Sequence, residues 1–330
     1  MRKTIGIGMG AALLAMAPVG LGQAQEAKPA EAEKAPGKRL QVRFQETRLR
    51  GETTTATRAY SLVLHADAGW ASVFVGSQLT ITMAAKETPT TTFKNAGVEG
   101  RVRAETLPDG RYRLDARFEE ASVLGEGGVA DARVTAGNPI LRLVRGESRL
   151  TLREGETAPF ASAADAVTGE LVRIDLTVSA APAAKAGPPT GRENAGLRAQ
   201  LVLVRRQGET KVARRPYSVV LAAGEDAAEV FSGSMLPVQT MAQGGPAVML
   251  KDVGAGLKLT ARRVPDGRYR LGFEFSDGVL SRGKDSPQVR VFESESQLFV
   301  QEGETVTVAS AVDPETGEVV EAELTLEGVR

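Results

Sequence analysis

Hydrophobic and polar residues alternate along most of this chain with a period of two. Leu40, Val42 and Phe44 are separated by polar residues, and near the other end Val320, Ala322, Leu324 and Leu326 alternate with Glu321, Glu323, Thr325 and Glu327. That is the pattern of a strand with one face buried and the other in water. No apolar stripe at helical spacing runs longer than two turns. The strand-like segments are punctuated by turn chemistry. In Pro108-Asp109-Gly110 and Pro265-Asp266-Gly267, proline presets the first corner, aspartate caps the backbone and glycine takes positive φ. The Glu-Gly-Glu-Thr segments at 154–157 and 302–305, and Asp313–Glu318, punctuate further strands in the same way. Short strands between such turns predict an all-β protein, a sandwich or open barrel.

The pattern is written twice. Displacing the chain by 157 residues aligns Leu40–Leu114 with Leu197–Leu271 without a gap, and 30 of those 75 positions are identical. Gly51-Glu52-Thr53, Tyr60-Ser61, Val73-Phe74, Gly76-Ser77 and the whole of Pro108–Leu114 recur. A second block aligns at a displacement of 148, pairing Glu154–Thr157 with Glu302–Thr305 and Thr168-Gly169-Glu170 with Thr316-Gly317-Glu318. The first copy therefore carries 9 extra residues between Leu114 and Leu150, expected in loops such as Gly125–Gly128. Two long copies predict two tandem antiparallel domains rather than a solenoid of short repeats. Copy 1 is placed at 39–178 and copy 2 at 197–330, with a Pro/Ala-rich linker at 179–196.

The N-terminus reads as an export signal. Arg2 and Lys3 precede an apolar run from Ile5 to Ala17, and small residues at Gly22 and Ala24 predict cleavage after Ala24. The run is too short and wrongly flanked for a spanning helix. No later stretch approaches 18 consecutive apolar residues, and no cysteine follows the signal to take a lipid. Residues 25–38, rich in Ala, Glu, Lys and Pro, read as a disordered tether. The expected location is exported, in the periplasm or outer membrane of a bacterium.

Composition narrows the function. The 330 residues hold 41 Lys+Arg against 41 Asp+Glu, no Cys and one His. Zero net charge argues against a nucleic-acid or anionic-membrane binder, which needs a positive surplus. Without cysteine there are no disulfides, thiolate nucleophiles or Cys-bound metals. An aromatic content of 5% implies a core of Val, Leu and Ala with a few Phe.

Candidate chemistry is sparse. His65 is the one imidazole that could serve a serine nucleophile, yet it lies within a strand and its counterpart is Ala222. The carboxylate pairs Glu119-Glu120, Glu154/Glu156, Glu225-Asp226 and Glu302/Glu304 read as solvated turn residues. Asp313–Glu318 has the acidic spacing of a calcium loop, but Asp165–Glu170 lacks the middle carboxylate and Pro314 fits a plain turn. Arg101, Arg103, Arg111 and Arg113 fall at strand spacing, where Asp109, Asp115 and Glu99 make a mixed, salt-bridged surface the better reading than an anion site. The repeated residues are those of a fold. We expect no enzyme, with no catalytic, cofactor-binding or metal residues and no cofactor.

Copy 2 resembles the C-terminal β domain of bacterial secretins, the outer-membrane channels of type II and III secretion and type IV pilus machines. Ala228, Val230-Phe231, Gly233 and Leu236-Pro237 are similar to that family's strand entering a glycine–proline turn. Lys251-Asp252-Val253-Gly254 and Leu257–Thr260 are similar to the stretch that follows. Asp266-Gly267, Tyr269 and Leu271 come next, and Glu302–Thr305 resembles its acidic glycine turn. Copy 1 shows the same series more weakly. Where secretins continue with Gly-Gly-Leu, this chain has Ala309-Ser310-Ala311, and little room is left for gate hairpins between Pro237 and Lys251 or for periplasmic ring domains upstream. The resemblance implies a duplicated secretin-like module, accessory or structural in a secretion or pilus system. It would work through β-mediated association at edge strands, between copies or between subunits. Its partners would be other envelope proteins or itself, with outer-membrane association but no transmembrane helix and no nucleic acid. The alternative is a soluble periplasmic or extracellular β-sandwich binding module with ligands met by end loops.

Overall fold

A computed structural model describes residues 37–83, 90–123, 141–165, 168–182, 196–224, 227–242, 245–282 and 287–329. The expected export signal, most of the expected tether and linker, the extra residues of copy 1 and the Glu225-Asp226 pair lie outside the described residues. The described residues are strands and turns, without a helix.

Copy 1 supplies β1 (Arg39–Arg50), β2 (Thr53–His65), β3 (Trp70–Met83), β4 (Thr90–Thr106), β5 (Tyr112–Val123), β6 (Leu141–Leu152), β7 (Thr157–Ala164) and β8 (Leu171–Ala180). Copy 2 follows in the same order. It gives β9 (Leu197–Gln207), β10 (Thr210–Leu221), β11 (Ala228–Ala242), β12 (Gly245–Arg263), β13 (Tyr269–Arg282), β14 (Pro287–Val300), β15 (Thr305–Val312) and β16 (Val319–Gly328). All pairings are antiparallel. The strands form two eight-stranded sheets, ordered β10-β9-β16-β15-β2-β1-β8-β7 and β11-β12-β13-β14-β3-β4-β5-β6. Neither sheet closes into a barrel; of the two architectures expected, the sandwich is the one formed.

Each sheet runs through both copies. Copy 2 adds its β15 to the β2 edge of copy 1 in the first sheet and its β14 to the β3 edge in the second. Since β15 corresponds to β7, β14 to β6, β10 to β2 and β11 to β3, the copies stand head to tail, related by a displacement along the sheets. One apolar core spans the sandwich. Phe44 meets Phe118 of the facing sheet at 5.7 Å between ring centroids and Phe160 at 5.8 Å, and in copy 2 Tyr217 meets Phe275 at 5.4 Å. The alternation read from sequence is realised: Leu40, Val42 and Phe44 are buried, as are Val320, Ala322, Leu324 and Leu326.

The repeated turns close as their chemistry requires. The Gly110 N–H donates to Leu107 O and the Leu107 N–H to Arg111 O, while Gly267 and Val264 do the same in copy 2. Gly110 and Gly267 have φ of 78° and 87°, values a side chain resists. A second repeated pair explains two glycines of the secretin-like segments. Gly233 lies directly opposite Gly254, as Gly76 does Gly97. A Cβ on Gly97 would stand 2.3 Å from Val75 O, and one on Gly254 2.4 Å from Ser232 O. The hairpin backbones cross there too closely for any other residue. Beyond that crossing, β11 and β12 stay paired as far as Ala242 and Gly245, so the hairpin past Pro237 is a continuous two-stranded ladder.

Candidate functional site

The seam between the copies is built from backbone first. Val289 through Glu295 pair with Gln78 through Ser72 in one sheet, and Ala309, Ser310 and Ala311 pair with Leu62, Ser61 and Tyr60 in the other. On this side of copy 1 the β2 and β3 edges, which would otherwise offer unpaired N–H and C=O groups, are thereby covered along the paired stretches. Past the paired stretch, the end of β14 crosses β2. The Ser296 hydroxyl donates to Val63 O at 3.3 Å, and the Phe299 N–H donates to His65 Nδ1 at 3.3 Å. The Phe299 ring meets the imidazole edge to face at 5.3 Å. Arg39 closes the seam, its guanidinium 2.6 Å from Glu304 and donating to Phe299 O at 2.9 Å. On the far side the Ser77 hydroxyl donates to Glu315 and Arg58 donates to Pro314 O at 3.4 Å.

His65 is thus a seam residue. Burial, reinforced by the positive charges of Arg39 and Arg268, lowers its pKa to about 3. The imidazole is neutral at ordinary pH, and the nitrogen that could take a proton already accepts a backbone N–H.

A second feature runs into the sandwich. Glu46 and Arg48 continue the inward parity of Leu40, Val42 and Phe44 on β1, and Glu120 continues that of Leu114, Ala116 and Phe118 on β5. Arg48 donates to Glu46 at 2.7 Å and to both Glu120 oxygens at 2.5 Å, with Glu170 3.9 Å away; Arg58 reaches Glu120 at 3.4 Å. Burial pushes the Glu120 carboxyl up, with Glu46 adding to the rise and Arg48 and Arg58 opposing it. Copy 2 repeats the arrangement: Arg205 and Arg215 both hold Asp277, at 3.1 and 3.3 Å, and Glu318 lies 3.7 Å from Arg205. The positions correspond one to one, except that Glu46 is replaced by Leu203. In both copies the charges tie the two sheets together where the apolar core ends.

This corrects the reading of the acidic pairs. Glu119 and Glu120 belong to a strand, and Glu120 and Glu304 are buried in ion pairs. Glu154 and Glu156 do lie on an exposed turn, where Lys38 pairs with Glu154 and the Arg153 N–H donates to Glu156. In the Asp313–Glu318 turn, the Asp313 carboxylate accepts the N–H groups of Glu315 and Thr316 and pairs with Arg290. One oxygen is engaged by the turn itself and the other by Arg290 of β14 in the facing sheet. Arg103 pairs with Asp115, Arg111 with Asp109 and Arg113 with Glu105, and Arg101 and Arg103 lie over Trp70 at 4.9 and 5.3 Å. The mixed surface is the one present.

The two outer ends of the sandwich are the same edges without a partner. On β2 and β3, Val63 is 3% exposed and Phe74 7%; their counterparts on β10 and β11, Val220 and Phe231, are 57% and 47% exposed. At the opposite end Leu143, on the β6 edge, is 52% exposed.

No protein-family model and no curated protein sequence matches the chain. Solved structures do. The type IV competence pilus secretin PilQ of V. cholerae aligns at 13% identity and a TM-score of 0.27, over 89% of this chain and 62% of its own. The InvG secretin-domain β-barrel of the Salmonella injectisome aligns at 10% and 0.31, over 77% of this chain and 89% of its own. ExeD of Aeromonas hydrophila aligns at 11% and 0.29, over 88% of this chain and 49% of its own. The chain therefore spans less than two thirds of the PilQ and ExeD chains. The chain is similar to secretin β domains in its solved-structure neighbours, as it is in the ordered segments of its sequence.

Proposed function

We propose that this is an exported, non-enzymatic envelope protein of a secretion or pilus system, acting by strand-edge association of secretin-like β modules. The observation that carries the reading is the seam. One module docks on the other by adding a strand to each of its two sheets, and the docking buries an apolar edge that the outer end of the fold still exposes. A protein whose own halves recognise each other by β-addition has the surface needed to join an assembly of such modules. The ordered secretin-like segments of copy 2, and the glycine crossing they build, supply the link to secretion and pilus machinery. The engaged His65 and the paired buried carboxylates favour a structural over a catalytic role, and the signal-like N-terminus supports export.

The test is fractionation of the full-length chain in a Gram-negative host, followed by affinity capture after membrane solubilisation. The reading predicts sedimentation with the outer membrane and co-purification of envelope proteins. A chain found wholly in the soluble periplasm, with no envelope protein captured, would overturn it in favour of a soluble binding module.

A further inference from the structure

The duplication creates a pairing problem. The chain has two docking edges, β6/β7 and β14/β15, and two receiving edges, β2/β3 and β10/β11. Homologous edges permit four combinations, within or between chains, but the structure uses one, with β14/β15 on β2/β3. The seam residues show how it is selected. On the receiving side Arg39 and His65 hold Glu304 and Phe299. Their counterparts on the β10/β11 side are Gly196 and Ala222. On the docking side Phe299 and Glu315 correspond to Thr151 and Val167. Glu304 has the same residue, Glu156, as its counterpart, so its pairing with Arg39 selects the receiving edge: on β10/β11 the buried Glu304 would meet Gly196 and no cation. The docking edge is selected by the Phe299 ring against His65 and by Glu315 beside Ser77, which Thr151 and Val167 do not reproduce.

We propose that Arg39, His65 and Phe299 form a pairing key that commits copy 2 to copy 1 of the same chain, leaving the unkeyed β6/β7 and β10/β11 edges to a second copy of the chain. This deepens the association reading above by naming the partner and its register. The displacement that relates the copies fixes that register: Ser162 of one chain opposite Ser218 of the next, as Ser310 is opposite Ser61, and Val144 opposite Ser232, as Phe292 is opposite Val75. The exposed Val220 and Phe231 would then take the buried environments of Val63 and Phe74. The contact is heterologous, so it propagates to a ring or a filament rather than stopping at a dimer.

Because the chain has no cysteine, engineered pairs report the pairing directly in the purified full-length protein, without membranes or other envelope proteins. Under mild oxidation, Ser162→Cys with Ser218→Cys is expected to give a ladder of disulfide-linked chains on a non-reducing gel. Monomer alone, from a protein with its β circular dichroism intact, would overturn the second-copy claim even if envelope fractionation succeeded. Ser61→Cys with Ser162→Cys reports the wrong pairing, copy 1 on copy 1. It is expected to stay monomeric until Arg39→Gly and His65→Ala are added, when the linked species should rise severalfold. Should the double change impair folding, Phe299→Thr removes the key from the docking side and is read in the same way. Equal cross-linking with and without the key would overturn its role.

Discussion

The two copies share a topology and differ in what lies against their edges. Val63 and Phe74 of copy 1 sit under copy 2, while Val220 and Phe231, the same positions one displacement along, face water. The local sequence is nearly the same in both places, Val73-Phe74-Val75-Gly76-Ser77 against Val230-Phe231-Ser232-Gly233-Ser234, so burial here is set by position in the tandem and not by the strand. What does differ is a small polar and aromatic set: Arg39, His65 and Phe299 at the inner seam against Gly196, Ala222 and Thr151 at the outer ends. Apolar strand edges make docking possible, and this set decides which edge docks where.

The comparison can be broken most severely where the copies should behave alike. Glu120→Ala leaves Arg48 buried with Glu46 and Glu170 alone, and Asp277→Ala strips Arg205 of its nearest partner. Each is expected to lower unfolding free energy by about 3–5 kcal/mol in urea titration. A loss confined to one copy would refute the equivalence of the two charge clusters. Next comes the contrast between seam and free end. Phe74→Ala should cost about 3–4 kcal/mol, and Phe231→Ala in dilute protein no more than about 1 kcal/mol. Similar losses would mean that β11 is covered in the monomer.

Acid gives a third, smaller lever. His65 titrates at about 3 in the folded chain and near the ordinary imidazole value, about 6.5, when unfolded. Between these values the unfolded chain binds the extra proton, so this contribution is complete above about pH 6.5 and declines as pH falls towards 3. The slope approaches about 1.4 kcal/mol per pH unit in the middle of the window. In His65→Gln that part of the pH dependence should vanish, leaving the carboxylate contribution below pH 5; an unchanged profile would place the imidazole in water. The smallest effect belongs to the repeated turns. Asp109→Ala and Asp266→Ala, each removing a cap from an exposed hairpin, should leave the urea midpoint close to that of the parent, and equally so.

Much of this was legible in the sequence. Period-two alternation located the strands, the Pro-Asp-Gly turns closed where their chemistry required, and the ungapped repeat predicted two equivalent β modules. The buried charges were missed because acidic residues beside glycine turns are usually solvated. The signal that could have found them is parity: Arg48 and Glu120 occupy the inward side of their strands, and Arg48, Arg58 and the acid at 120 all recur in copy 2 as Arg205, Arg215 and Asp277. Edge association between copies was expected from open β modules, but which edges meet was not. Pairing of β14 with β3 joins residues more than 200 positions apart, and no local pattern encodes it. The unmatched residues of the repeat, Arg39 against Gly196, His65 against Ala222, Phe299 against Thr151 and Glu315 against Val167, were the trace it left, and a difference between copies has no meaning until the seam is seen.

The central claim, that copy 2 docks on copy 1 within one chain, is tested most directly by Ser61→Cys with Ser310→Cys, two directly opposed residues at the seam. Mild oxidation of dilute protein should close the disulfide within the monomer, leaving the native mass unchanged and raising the unfolding midpoint. Free thiols, or disulfides formed only between chains, would contradict the account.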